Sequence, residues 1–195
     1  QALALGADKT QYQTLDKIDH LTGLYNRHGL IAALRSTINS STKDLILLEI
    51  NIDDFKKFNN LHGHTLGDQL LSEFGNLLEL KIKRDNLAAE LIDKEKNTTY
   101  RRGVVGRISG GEFTILLSNT SLPESKLYAE RLIRDFNNIY VTNKDGTKIC
   151  TTISIGIINV EPKKDIDELL IAVTKTLNDA KEQGLSQLKL QLDCK

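Results

Sequence analysis

Apolar positions along this chain change period from one stretch to the next, and the changes mark out the elements. Leu45–Ile52 is a nearly continuous apolar run, the pattern of a buried strand, and it delivers polar residues at its C-terminal end. A short helix follows over 54–61 and stops at Gly63. Residues 104–117 read as strand, glycine turn and strand, with Gly110 and Gly111 at the turn. Helical spacing appears four more times. Leu30, Ile31 and Leu34 share a face over 27–39; Leu66, Leu70, Phe74 and Leu77 do so over 65–81. Pro123 suits a first helical turn ahead of Ala129, Leu132, Ile133 and Phe136. Ile166, Leu169, Leu170, Val173 and Leu177 line a helix over 165–183, with Gly184 as its stop.

The remaining stretches connect these. Residues 19–26 read as a tight turn into the first helix. Asp145 and Gly146 make a hairpin turn between strands at 139–142 and 148–160, and 186–192 alternate as a final edge strand. Residues 83–102 carry charge without periodicity and are expected to be an inserted, mobile loop. Residues 1–18 read as a linker helix arriving from an upstream domain, and 19–195 as one α+β domain. Its central sheet, mixed or antiparallel, is covered by helices.

Composition narrows the class. A chain of 195 residues with 39% hydrophobic content can build one core. A formal net charge of zero supplies no global field for nucleic acid or an acidic membrane surface. Cys150 and Cys194 lack metal-ligand spacing and read as reduced bystanders. No apolar run approaches the roughly 20 residues of a membrane span. The sequence has no Met, even at position 1, and so reads as a piece of a longer protein. A cytoplasmic location is expected, or the cytosolic part of a membrane-anchored sensor.

The order Asp53-Asp54-Phe55-Lys56-Lys57-Phe58-Asn59, Gly63-His64, Gly67-Asp68 and Arg107-Ile-Ser109-Gly110-Gly111-Glu112-Phe113 resembles the GGDEF domain of bacterial diguanylate cyclases. Those enzymes join two GTP molecules into cyclic di-GMP. Asp19 to Arg27 resembles the family's opening motif, and Ala180-Lys181-Glu-Gln-Gly184 its closing one, so the likeness runs from Asp19 to the C-terminus. It implies a palm-like nucleotidyl cyclase fold.

The resemblance also assigns roles. Joining nucleotides needs a 3′-hydroxyl to attack an α-phosphate while pyrophosphate leaves, with two divalent cations neutralising the charge. The family holds them with an acid at the end of the central strand, the next residue's backbone, and the third signature position. In this chain those places are Asn51, Ile52 and Gly111, so no metal site and no functional catalytic residue is expected. Glu112 remains as a residual acid, and Ser109 replaces the first signature glycine. Deleting one signature residue from the alignment would make Glu112 the metal ligand, but the intact spacing from Arg107 opposes that.

Substrate recognition is better kept. Asn59 and Asp68 stand at the guanine-reading positions, and an amide with a carboxylate complements guanine's acceptor O6 and its donor edge. The backbone at Phe55 and Lys56 suits phosphate oxygens. Lys181 matches a further phosphate contact, and His64 lies near the substrate. Leu185 takes the place of an arginine. The product-inhibition motif has Tyr100 and Gly103 in place of its arginine and aspartate, so no inhibitory site is expected.

These departures imply an inactive, regulatory domain that senses GTP weakly or dimerises within a larger cyclic di-GMP signalling protein. Mg²⁺ is expected only with bound GTP. Its partners would be a second copy or a neighbouring domain such as an EAL domain, with no nucleic acid and no direct membrane insertion. A working cyclase and a purely structural domain without nucleotide are the alternatives.

Overall fold

The computed structural model describes residues 17–40, 44–96, 102–160, 164–182 and 188–190. The elements run α1 (Arg27–Ser40), β1 (Leu45–Ile52), α2 (Phe55–His62), α3 (His64–Lys96), β2 (Arg102–Ser109), β3 (Glu112–Ser118), α4 (Leu122–Phe136), β4 (Val141–Thr142), β5 (Lys148–Ile149), β6 (Ile153–Asn159), α5 (Ile166–Glu182) and β7 (Leu188–Leu190). A five-stranded sheet has the order β2-β3-β1-β6-β7, and β4 and β5 pair separately. All neighbours in the large sheet are antiparallel except β6 and β7. The expected α+β class with a helix-covered central sheet is the one observed.

β1 sits at the centre because both its faces are apolar. Ile46, Leu48, Ile50 and Ile52 join Phe113, Ile115, Leu117, Ile153, Ile155 and Ile157 against α3 and α4. Phe74 of α3 anchors this layer, meeting Phe113 and Phe136 edge-on with ring centroids 4.9 and 4.7 Å apart. The opposite face, with Leu45, Leu47, Leu116 and Ile158, packs on Leu30 and Leu34 of α1 and Ile166, Leu169 and Val173 of α5. Pro123 lies in the first turn of α4, behind a capping box in which Ser121 and Glu124 satisfy each other's backbone N–H groups. Among the described residues no helix is long and apolar enough to cross a membrane.

Three expectations are corrected. The loop expected over 83–102 is helix as far as Lys96, continuing α3 to 33 residues. Ile82, Asp85 and Ala89 keep an inward face at helical spacing. Between them Asn86 clamps the edge strand β2: its amide donates to the Gly103 carbonyl at 3.1 Å and accepts from the Gly103 N–H at 2.8 Å. An otherwise open sheet edge is thereby covered. Residues 97–101, including Tyr100, lie outside the described residues, as do Gly184, Leu185 and residues 1–16 of the linker helix expected over 1–18; its last two residues are not helical, Lys17 lying in a turn and Ile18 bridging to Tyr25. The strand expected over 148–160 is two strands in two sheets, because Thr151 and Thr152 turn aside to bind Asp53.

Candidate functional site

The C-terminal end of β1 and the β2–β3 turn meet as the pairing register requires. Asn51 lies opposite Glu112 on one side and Ser154 on the other. Strand alternation sends Glu49, Asn51 and Glu112 to the face that carries α1 and α5. Asn51 Nδ2 donates to Glu112 Oε1 at 3.5 Å, a long contact, and Ser109 Oγ donates to Glu112 Oε2 at 2.7 Å. Both oxygens of the one signature carboxylate are therefore engaged by the chain itself. The Gly111 carbonyl accepts from the Ile52 N–H at 2.9 Å, drawing the turn against β1. A Cβ on Gly111 would lie 3.1 Å from Ile52 Cβ and 3.2 Å from Phe55 Cβ and Cγ. Side-chain space at that position is nearly closed.

Arg107 ties this turn to the opening motif. Its Nε donates to the Gly110 carbonyl at 2.9 Å, and its Nη1 reaches both Asp19 oxygens at 3.1 Å. Asp19 also accepts from the Thr22 hydroxyl at 2.7 Å and the Thr22 N–H at 2.9 Å. Burial alone would raise the Asp19 carboxyl, but the Thr22 and Arg107 hydrogen bonds outweigh it and hold the group below its ordinary range.

Asp53 is structural. It is 1% exposed, and its carboxylate accepts from the Thr152 hydroxyl at 2.6 Å and the Ser154 hydroxyl at 2.8 Å. Those bonds lock the end of β1 to the start of β6. Asp54 follows in the left-handed region, φ 51°, and opens α2. Phe58 of that helix is buried, while Lys56 and Lys57 project outward, exposed.

The residues expected to read guanine lie on the α2–α3 corner. His64 and Asp68 are exposed on the first turns of α3, and Asn59 is half-buried on α2. Gly67 brings the two helices together: a Cβ there would sit 1.8 Å from Asn59 Oδ1. That oxygen is buried without a partner. Asn59 and Asp68 are thus gathered into one corner.

Lys181 is half-buried in the last turn of α5, close enough to act on Glu49. Glu49 is only 7% exposed. Burial pushes its carboxyl up, the Thr174 hydrogen bond opposes this, the negative charge of Glu112 adds to the rise, and Lys181 counters it. The Thr174 hydroxyl lies 2.6 Å from Glu49 Oε2 and 2.8 Å from the Leu170 carbonyl. The one Thr174 hydroxyl proton is shared between the Glu49 carboxyl and the Leu170 carbonyl.

The sequence reading passed over Glu49, Thr174, and the pair formed by Asp19 and Arg107. A lone acid inside an apolar strand was the available signal for Glu49. Gly103, at the inhibitory-motif position, has its backbone held by Asn86. For a divalent cation the signature end offers one carboxylate, the neutral oxygen of Asn51 and the Ile52 carbonyl. Among the described residues no group of three or more His, Cys, Asp and Glu could hold a metal. A pair of divalent cations, which need several hard charged oxygens, does not fit this donor set.

A family profile described as "Diguanylate cyclase, GGDEF domain" matches residues 16–95 and 95–187. Diguanylate cyclase A of Treponema denticola is 29% identical, the match covering 96% of this chain and 47% of that protein. Diguanylate cyclase DgcS of Shewanella oneidensis is 26% identical, over 92% of this chain and 55% of its own length. The coiled coil and GGDEF domain of DgcB from Caulobacter crescentus, solved in complex with c-di-GMP, superposes with a TM-score of 0.76. It is 18% identical, covering 97% of this chain and 93% of that one, a likeness of fold. The chain spans about half the length of the curated relatives it matches, 46% and 47% for the first two.

Proposed function

This chain belongs to the diguanylate cyclase GGDEF-domain family, and we propose that within it the chain is a member without cyclase activity. It would serve as a guanine-nucleotide-sensing module of a larger cyclic di-GMP signalling protein. The observation that carries this reading is the signature end itself. Glu112 is engaged by Asn51 and Ser109, and Gly111 has no side chain, with Ile52 and Phe55 close against the place a Cβ would take.

Cyclisation needs charge neutralised on the α-phosphate and on leaving pyrophosphate. A metal centre supplies several kcal/mol of that stabilisation. Losing about 5–8 kcal/mol slows the step roughly 10⁴–10⁶-fold. Recognition is a separate matter. Asn59 and Asp68 complement guanine without any cation, and Lys181 adds positive charge near the end of β1. The expected result is binding without turnover, with the bound state passed to a second copy or to a neighbouring domain such as an EAL domain.

The test is to incubate the chain with GTP and Mg²⁺ or Mn²⁺ and to resolve products by chromatography. Intact GTP is expected with either ion. Multiple-turnover formation of cyclic di-GMP overturns the reading in favour of a working cyclase.

A further inference from the structure

The sheet face under α1 and α5 carries a second feature. A cavity of about 620 Å³ opens there, within the roughly 300–1,000 Å³ typical of small-molecule sites. Its lining includes three carboxyl groups, Glu49, Glu112 and the exposed Asp167, and the hydroxyl-bearing Thr114. Glu49 and Thr114 are 7% and 0% exposed. The Thr114 Oγ1 is buried and has no hydrogen-bond partner. Buried hydroxyls in folded proteins nearly always find a partner, so this one is available to an incoming group. Ile108, Leu170 and Ile171 supply an apolar wall.

We propose that this cavity binds a small organic monocation, an ammonium or amidinium on a short apolar body. Its charge would rest against Glu49 and Glu112, with Thr114 Oγ1 as a third acceptor. Glu49 and Glu112 repel each other, Lys181 offsets this only in part, and a positive charge between the two acids would relieve the rest. An anion is disfavoured because the lining's basic groups, Arg27 and Lys175, are exposed, whereas Glu49 lies deep. A bare metal ion is disfavoured by the apolar wall and because Glu49 is the lining's one buried acid, Glu112 being half-buried and Asp167 exposed. The site is independent of the guanine corner and requires no bound GTP.

The probe is n-butylammonium, titrated into the ¹⁵N-labelled chain and followed by NMR, with benzamidine as the amidinium. The neutral n-butanol and the anionic butyrate are the matched controls. Saturable millimolar shifts at Glu49, Thr114 and Thr174 are expected for both cations, spreading through Glu112 to Asn51 and Ser109. The controls are expected to bind at least about tenfold more weakly, and Glu49→Gln to weaken n-butylammonium by about tenfold. Equal binding of butanol, unchanged binding by a folded Glu49→Gln, or no saturable shift with either cation would overturn the proposal. Should Glu49→Gln fail to fold, the comparison of n-butylammonium with n-butanol on the unmutated chain decides alone.

Discussion

Two corners of this domain, one at the α2–α3 junction and one at the β2–β3 turn, treat their polar groups in opposite ways. At the first, Asn59 keeps a buried oxygen without a partner, and Asp68 stands exposed beside it. At the second, Ser109, Asn51 and Glu112 are bonded to one another, and Gly111 is hemmed in by Ile52 and Phe55. On the proposed function, the first corner is the one that receives a group from outside. A corner whose polar groups satisfy each other has less to offer a pair of metal ions and more to lose on mutation. On the proposed function, recognition and catalysis part company within a single fold.

The sharpest way to break the comparison is to restore the acids. Asn51→Asp combined with Gly111→Asp brings a second carboxylate against Glu112 and a side chain into space that admits a Cβ only at 3.1–3.2 Å. Overpacking of about 1–3 kcal/mol and like-charge repulsion together should cost about 2–4 kcal/mol. Thermal melting should then show Tm lower by about 5–15 °C, with no cyclic di-GMP formed. An unchanged Tm together with recovered turnover would mean that the signature corner is not closed.

The second test works on the open corner. Asp68→Ala should weaken GTP by about tenfold while changing stability by no more than about 0.5 kcal/mol, since the residue is exposed. Gly67→Ala should reach the same end through Asn59, whose Oδ1 must move to make room. If calorimetry finds GTP affinity unchanged in both variants, the corner is not a recognition surface.

A third test is pH. Asp19 is held low in the folded state, so its contribution is present above the ordinary value of 3.8 and is lost as pH falls through the lowered one. Glu49 has the opposite sign. Its neutral form is favoured by folding below the ordinary 4.5, and that advantage is lost as pH rises through the raised value. Glu49→Gln should therefore flatten the loss on the rising side, by up to about 1.4 kcal/mol per pH unit, and leave the acid limb in place. Denaturant melts across pH for both chains measure it. Parallel curves would contradict the upward shift that burial gives the Glu49 carboxyl.

The smallest effect belongs to Ser109→Ala. It removes one partly exposed hydrogen bond to Glu112, and about 0.5–1.5 kcal/mol should be lost in denaturant unfolding. A larger loss would mean that the signature network is stronger than its geometry implies.

Much of this was legible in the sequence, for physical reasons. β1 announced itself because both its faces are buried, and α5 because Ile166, Leu169, Val173 and Leu177 keep one face at helical spacing. The far half of α3 was misread as a loop for the complementary reason. Leu80, Leu87 and Leu91 are exposed, while the inward face holds Asp85 and Ala89, so hydrophobicity pointed the wrong way. What fixes that helix is Asn86 on the backbone of Gly103, a tertiary bond that no periodicity records. The signature positions were readable one by one. The wiring of Glu112 and the closure around Gly111 were not, because both depend on the register of β1 against β3.

The central claim, recognition without catalysis, is tested most directly by titrating GTP and ATP separately into the unmutated chain in a calorimeter. The account predicts a dissociation constant for GTP from tens of micromolar upward, about −6 kcal/mol or weaker. ATP should bind at least about tenfold more weakly, because adenine offers Asp68 no N1–H to pair with. Equal heats and affinities for the two nucleotides, or no binding of GTP at millimolar concentration, would contradict it and leave a purely structural domain.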